Sequence, residues 1–424
     1  MLSISKKSFA DQPLLSTLIA VIFIFSIGNY VVNGLWGGLR YKGMDFVGYY
    51  ANGKMLVQSV DIHDPEKWKQ GVIDLNLTRD GKPLERATRS DYPPFWYLLM
   101  SVFSGIPWQQ AFNLWIALNQ IFLIVLIGLL FNYFDVKIGS LESFFLIFLM
   151  LNYYPLFYTL MEGQVNIFLL LLIVLALWLF KKERDWAAGL ILGLATGIKI
   201  VPAFILFYFL WKGHWKVVIF GALGFISTLL ITAWGAGAEI VVSYYTGQLF
   251  KYGASPNPDI FNQSINGFWS RLLMRSQAAG GWINQPGSVN TVIRVSALIV
   301  FLISLFCTRG KFERCGLRWN LGLGIFLLTM MLASAWTMEH HFINLYIPLI
   351  IIFLAYFRGQ EVAFGAVLAF VLCYGLAAFN LPYTSGKFNS GILILVKSLK
   401  FYILLAMWIL MCLESRRLRL RSSL

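Results

Sequence analysis

Charge is what this sequence has least of. Only 13% of its 424 residues are Asp, Glu, Lys or Arg, about half the share carried by ordinary soluble domains. With 58% hydrophobic residues and a mean hydropathy of +0.69, that scarcity excludes both a soluble globular enzyme and a disordered chain. Cysteine is scarce too. Cys307, Cys315, Cys373 and Cys412 sit in or beside apolar segments with no close pair in sequence. They read as small hydrophobes, which excludes a disulfide frame or a thiolate zinc site. Neither a GxGxxG turn nor a P-loop occurs, so no nucleotide site is indicated and no cofactor is called for. Tandem repeats and low-complexity segments are absent.

What is present is apolar and aromatic. Aromatic residues make up 17% of the chain, with 15 Trp and 36 Phe, as membrane helices with interfacial aromatic belts require. A run from about Leu14 to Val32 is long enough to span, and no small-residue cleavage site follows it, so it reads as a retained first helix. Further spans lie at about 108–131, 140–160, 163–180, 215–234, 288–307, 318–336, 341–357, 362–380 and 389–412. Two stretches are different. Pro93–Ile106 is apolar but too short to cross, and 186–212 is broken near Gly197, Lys199 and Pro202. The latter predicts a hairpin of half-helices, which at membrane depth lines a cavity. The reading is an all-α polytopic membrane protein of about 10–12 transmembrane helices, forming one integral membrane domain over residues 1–424.

Lys+Arg minus Asp+Glu is +14. No soluble domain is large enough to carry a nucleic-acid patch, so the excess belongs to cytoplasmic loops and anionic lipid. Lys6 and Lys7 place the N-terminus inside. Counting crossings from there also puts KKERD (181–185), KGHWK (212–216), RGKFERCGLR (309–318), Arg358 and the basic tail at 413–424 on the cytoplasmic side. The same count puts two long loops, about 33–92 and about 235–287, on the outside of the cell membrane.

Polar residues near membrane depth are expensive, and each is a functional candidate. Asp45, in GMDFVGYY, is either a helix cap or a general base. His340 and His341, beside Glu339 in SAWTMEHH, form either a polar interhelical turn or donors to a phosphate. No set of ligands at metal spacing accompanies them, so no metal site is read. Lys199, in GLATGIKIVP, either snorkels or holds a lipid phosphate. Gln164 and Asn166, in GQVN, either join helices or bind a sugar. DYPPF, Asp91 to Phe95, reads as structural, its prolines fixing the chain's entry to the membrane. Asn262, Gln263 and Arg271, in NQSINGFWSRL, suit a headgroup or sugar but also an ordinary polar loop.

In succession, an acidic first loop, DIHDP (61–65), YPPF, GQVN, GLATGIKIVP, NQS…RL and HH form an order that resembles glycosyltransferase family 87 of the GT-C superfamily, over roughly residues 40–345. The resemblance implies a GT-C helical bundle with an outward-facing site. The donor would be a sugar, here mannose, on a polyprenyl phosphate, with a lipid or glycan acceptor, inverting transfer and no nucleotide. It implies Asp45 as general base, His340 and His341 near the donor phosphate, and a membrane lysine at Lys199 whose role stays open. Gln164, Asn166, Asn262, Gln263, Arg271 and Glu339 are then expected to bind substrate. The sequence departs from the family at Trp336, which Thr337 and Met338 separate from Glu339. Rival readings are transfer of another lipid-linked sugar (arabinose, glucose or aminoarabinose), a secondary transporter, or a lipid scaffold. The absence of repeats and the length of the outer loops weigh against a transporter.

Overall fold

The computed structural model describes residues 13–421 except 42, 76, 80–81, 84–91, 276–282, 361 and 390. Lys6, Lys7 and Asp91, noted in the sequence, lie outside the described residues. Regular structure among the described residues is helical, save for one antiparallel ladder of Thr78–Arg79 with Lys82–Pro83. A backbone in hydrocarbon must satisfy its own polar groups, and a helix does so within one segment. Among the described residues, six helices are long and apolar enough to cross a bilayer: Thr17–Tyr41, Trp108–Tyr133, Trp215–Ala236, Pro286–Cys307, Glu339–Phe357 and Gly391–Leu420. A bent pair, Leu141–Leu151 with Tyr154–Glu162, turns by 50° and makes a seventh candidate. Shorter apolar helices include Asn166–Lys181, Asp185–Ile198 and Leu317–Ala333. The protein is an all-α polytopic membrane protein.

The structure departs from the sequence reading in two places. The first helix does not stop at residue 33 but continues through Tyr30–Trp36 and Gly37–Tyr41. Gly34 and Gly38 allow this, because each lies so close to Phe157 or Leu160 that a Cβ would stand 3.1–3.3 Å from them. The 140–160 span is not straight: it breaks at Asn152, just before Pro155.

The 186–212 segment is a broken hairpin. Its halves are Asp185–Ile198 and Ala203–Trp211, with Lys199 in extended backbone at the break. The first half carries glycine every fourth residue, at 189, 193 and 197. This stripe lies directly on the Trp215–Ala236 helix, where a methyl group at Gly193 would strike the Gly221 carbonyl. Small residues at this spacing bring two backbones together where apolar burial alone gives no drive, and the contact fixes where the half-helix releases Lys199.

Both long polar stretches contain helices of their own. Met44–Val57 and Pro65–Asp74 occupy the first, and Ala238–Ser243, Leu249–Ala254 and Ile265–Leu273 the second. The DIHDP sequence joins them. Asp64 caps Pro65–Asp74 by accepting from the amides of Glu66 (2.9 Å) and Lys67 (3.1 Å). His63 Nδ1 lies 2.6 Å from Ser243 Oγ in the second stretch.

The bundle has two polar ends. At one, Lys181 meets Asp135 at 2.6 Å, Arg314 pairs with Asp185, and Arg358 donates to Phe134 O at 2.8 Å. At the other, the start of Asn166–Lys181, the end of Asp185–Ile198 and the Glu339–Leu345 turn converge.

Candidate active site

Asp45 lies in the first turn of Met44–Val57, behind Gly43. It does not cap that helix; its carboxylate accepts a hydrogen bond from Gln164 Nε2 instead. This decides against the capping alternative. Asp45 is half-buried. Burial pushes its carboxyl above the ordinary carboxylate range, while the Gln164 hydrogen bond and the charge of Lys199 pull the other way.

Gln164 is delivered by a turn that needs glycine. Gly163 ends Tyr154–Glu162 at φ +66°, where a Cβ would stand 2.6 Å from the Cβ of Phe46. Trp115 Nε1 donates to the Gly163 carbonyl at 2.8 Å, and the Gly43 amide donates to Met161 O at 3.1 Å, tying the turn to the Asp45 helix. Gln164 is buried and joins three partners. Besides donating to Asp45, its Oε1 accepts from Tyr49 OH at 2.8 Å and Tyr92 OH at 3.0 Å.

Tyr92 OH in turn accepts from Lys199 Nζ at 3.0 Å. Lys199 lies 2.6 Å from His341 Nε2 and reaches Asn166 Oδ1 at 3.5 Å. His341 Nδ1 accepts the Met338 amide hydrogen at 3.0 Å, so in a neutral ring the proton sits on Nε2. The ammonium and the Nε2–H are both donors, so at 2.6 Å they repel each other, and an oxyanion arriving there relieves the repulsion by accepting from both. Asn166, Lys199, Ser334, Thr337, His341 and Asn344 line a cavity of about 20 Å³, room for one water beside these groups.

His340 is buried with its ring stacked on Tyr158, the centroids 6.0 Å apart. Its ring stands at 79° to that of His341, so the two present different directions. His340 Nδ1 and Asn166 Nδ2 are buried polar atoms without a hydrogen-bond partner, which is costly unless something arrives to meet them.

Asn262, Gln263, Arg271 and Glu339 lie on the far side of the Glu339–Leu345 turn, in a network of their own. Asn262 holds the 335–337 segment through Ala335 O (3.1 Å) and the Thr337 amide (3.1 Å). Gln263 donates to Lys397 O at 2.9 Å and accepts from the Phe401 amide at 3.1 Å. Arg271, 1% exposed, donates to Asp259 O, Asn262 O and Ser398 Oγ at 2.6–2.8 Å. Glu339 pairs with the buried Lys400 and accepts from Tyr383 OH at 3.1 Å. The structure thus brings Asp45, Gln164, Asn166, Lys199 and His341 into one connected set with His340 beside it, and sets the other four behind the histidines.

Tyr49, Tyr92 and Tyr158 complete the set and were not singled out by sequence. Tyr49 carried a signal: it stands four residues after Asp45, on the same helix face. Tyr92 sits in the Asp-Tyr-Pro-Pro sequence, whose prolines drew the structural reading; Pro94 does open the Pro94–Met100 helix.

Beside the site, an open groove of about 780 Å³ runs between the first helix, Tyr154–Glu162 and Phe364–Ala378. Asn29, Asn33 and Asn152 give it polar points, and Phe157 and Gly375 line its apolar part. Tyr154 forms its wall and stacks on Tyr158, the partner of His340.

The sequence pattern of glycosyltransferase family 87 matches residues 91–335, more than half of the chain. The chain belongs to glycosyltransferase family 87. The family 87 match takes in Gln164, Asn166, Lys199, Asn262, Gln263 and Arg271, and ends before the histidine pair; Asp45 precedes it. Over 122 residues the chain is 37% identical to the polyprenol-phosphate-mannose-dependent alpha-(1-2)-phosphatidylinositol pentamannoside mannosyltransferase of Mycolicibacterium smegmatis, covering 28% of each protein. Its counterpart in Mycobacterium tuberculosis is 33% identical over 120 residues, 28% of this chain and 27% of that protein. An alpha-(1->3)-arabinofuranosyltransferase of Mycobacterium tuberculosis is 30% identical over 166 residues, 34% of this chain and 38% of that protein. The matched stretches therefore span between about a quarter and two fifths of these relatives.

Proposed function

We propose that this family 87 protein transfers a sugar, mannose, from a polyprenyl-phosphate donor to a hydroxyl of a lipid or glycan acceptor, with inversion, in one step. The observation that carries the reading is the single hydrogen-bonded path that joins a half-buried carboxylate, Asp45, to a lysine–histidine pair built for an oxyanion.

The donor phosphate lies against Lys199 and His341 Nε2, with His340 Nδ1 and Asn166 Nδ2 as further donors. The acceptor hydroxyl attacks the anomeric carbon from the face opposite the phosphate, and Asp45 takes its proton. The carbon–oxygen bond to phosphate breaks, and its electron pair stays on the phosphate oxygen. The charge gathered there is met by donors already in place. A phosphate leaves without a proton, so one carboxylate serves, where an inverting hydrolase uses two. Asn262, Gln263, Arg271 and Glu339 hold the 335–341 segment that presents the histidines. The groove beside Tyr154 takes the hydrocarbon tail of a lipid substrate.

The basic end of the bundle faces the cytoplasm and the site faces outward, by the preference of Lys and Arg for cytoplasmic loops. A lipid-linked donor meets such a site without any soluble nucleotide. The mannosyl relatives favour mannose over the arabinofuranose of the third.

The test offers purified protein labelled polyprenyl-phosphate mannose and, separately, the arabinose donor, with a bacterial lipid extract as acceptor. Labelled mannose in a product lipid, at an anomeric centre inverted relative to the donor, is the expected result. Transfer of arabinose alone would replace the sugar, and no transfer from either donor by folded protein would sink the reading.

A further inference from the structure

The path between Lys199 and Asp45 runs in one direction. Lys199 donates to Tyr92 at 3.0 Å, Tyr92 donates to Gln164 Oε1 at 3.0 Å, and Gln164 donates to Asp45. A cation stands at one end and a carboxylate at the other, and every dipole between them points the same way. Aligned hydrogen bonds polarise one another. Tyr49, on the Asp45 helix, donates to the same Gln164 oxygen at 2.8 Å. It orients the amide without carrying charge into the chain.

We propose that Tyr92 is a positioning residue through which the occupied or empty state of the phosphate site sets the basicity of Asp45. The proposal rests on the reading of Asp45 as base and Lys199 with His341 as phosphate clamp. With no phosphate bound, the Lys199 charge is felt along Tyr92 and Gln164 and stabilises the Asp45 carboxylate. Bound phosphate engages the same ammonium. Tyr92 is then less polarised, the carboxylate loses support, and its affinity for a proton rises. Asp45 is thus the stronger base only once donor is in place.

The groups that face Asp45 support this division of roles. Lys199, from the break between half-helices, is the cation that acts on it, against the cost of burial. Tyr49 on its own helix and Tyr158 on the Tyr154–Glu162 helix feel its charge. Glu162, the neighbouring carboxylate, acts on Tyr158. His340 and His341 lie beyond Lys199, on the phosphate side. Tyr92 bridges the two ends, accepting from Lys199 and donating to Gln164.

Infrared difference titration of the full-length protein tests the proposal without depending on turnover. The protonation band of Asp45 is identified by its loss in Asp45→Asn. Its midpoint is then followed with and without polyprenyl phosphate, which carries no sugar. In the wild type the midpoint rises on adding the phosphate, by about one pH unit. In Tyr92→Phe it starts higher and no longer responds. Tyr49→Phe keeps the response. A wild-type midpoint that does not move, a response that survives in Tyr92→Phe, or an equal loss in Tyr49→Phe overturns the proposal. Sugar transfer measured alongside separates the two readings: an active wild type with an unmoved midpoint sinks this inference alone, and an inactive one sinks the function.

Discussion

Two polar clusters flank the Glu339–Leu345 turn, and they differ in how their hydrogen bonds are used. In the cluster of Asn262, Gln263, Arg271, Glu339 and Lys400, the polar side chains meet a partner inside the protein. In the cluster of Asp45, Gln164, Asn166, Lys199 and the two histidines, Asn166 Nδ2 and His340 Nδ1 are left over, and Lys199 and His341 offer protons to the same point. Both are polar clusters set into the bundle. On the proposed function the closed one is scaffold and the open one is site, because only unspent donors can be given to a substrate.

That contrast breaks first, and by the largest margin, at Lys199. Lys199→Met is expected to lower kcat by about 10²–10³-fold, the scale of losing a donor to a developing anion. Stability changes by about 1 kcal/mol or less, because the charge removed was half-buried. Steady-state kinetics and thermal unfolding of the same sample check both halves. An unchanged kcat would return Lys199 to a snorkelling role.

Arg271→Ala should do the reverse. It leaves Asp259 O, Asn262 O and Ser398 Oγ without their donor, and is expected to cost about 2–4 kcal/mol of stability. Turnover per folded molecule should stay within about threefold of the wild type. A large kcat loss at full stability would move Arg271 into the substrate site.

Asp45 sharpens the comparison by the sign of its effect. A carboxyl whose folded pKa is raised weakens the folded state as pH climbs from the unfolded value through the folded one. Asp45→Asn is therefore expected to unfold at a temperature equal to or above that of the wild type at neutral pH. A lower unfolding temperature would mark Asp45 as a structural partner of Gln164. For the same reason the acid limb of kcat/KM should lie above the ordinary carboxylate range, near 4, with activity rising as pH increases through it.

The smallest effect belongs to the groove. A Cβ at Gly375 meets open space, so Gly375→Trp should fold normally while filling the channel. KM for a long-chain lipid substrate should rise by a few-fold, about 10-fold at most, with kcat little changed. An unchanged KM would take the lipid tail elsewhere.

The fold was largely legible, because hydropathy and length govern what crosses a bilayer. The broken hairpin at Lys199 shows this: Gly197, Lys199 and Pro202 predicted an interruption where the structure interrupts the helix. The bend at Asn152 was hidden, since apolar sequence continues on both sides of it. At the site, Asp45, Lys199 and the histidines could be found as polar residues where polarity is costly. Their grouping could not, because the Asp45–Gln164 contact spans 119 residues and the Lys199–His341 contact 142. Asn262 and Arg271 carried the same polar signal, yet their donors are spent on backbone carbonyls that sequence does not place. Lys400, which answers Glu339, stood in an apolar run and gave no sign of its partner.

The most direct test is the rate of sugar transfer from polyprenyl-phosphate mannose by folded Asp45→Asn, beside the wild type at saturating donor. With Asp45 as the base, the rate falls by about 10²–10⁴-fold while polyprenyl phosphate still binds. Transfer at the wild-type rate would show that the acceptor proton goes elsewhere and would contradict the account.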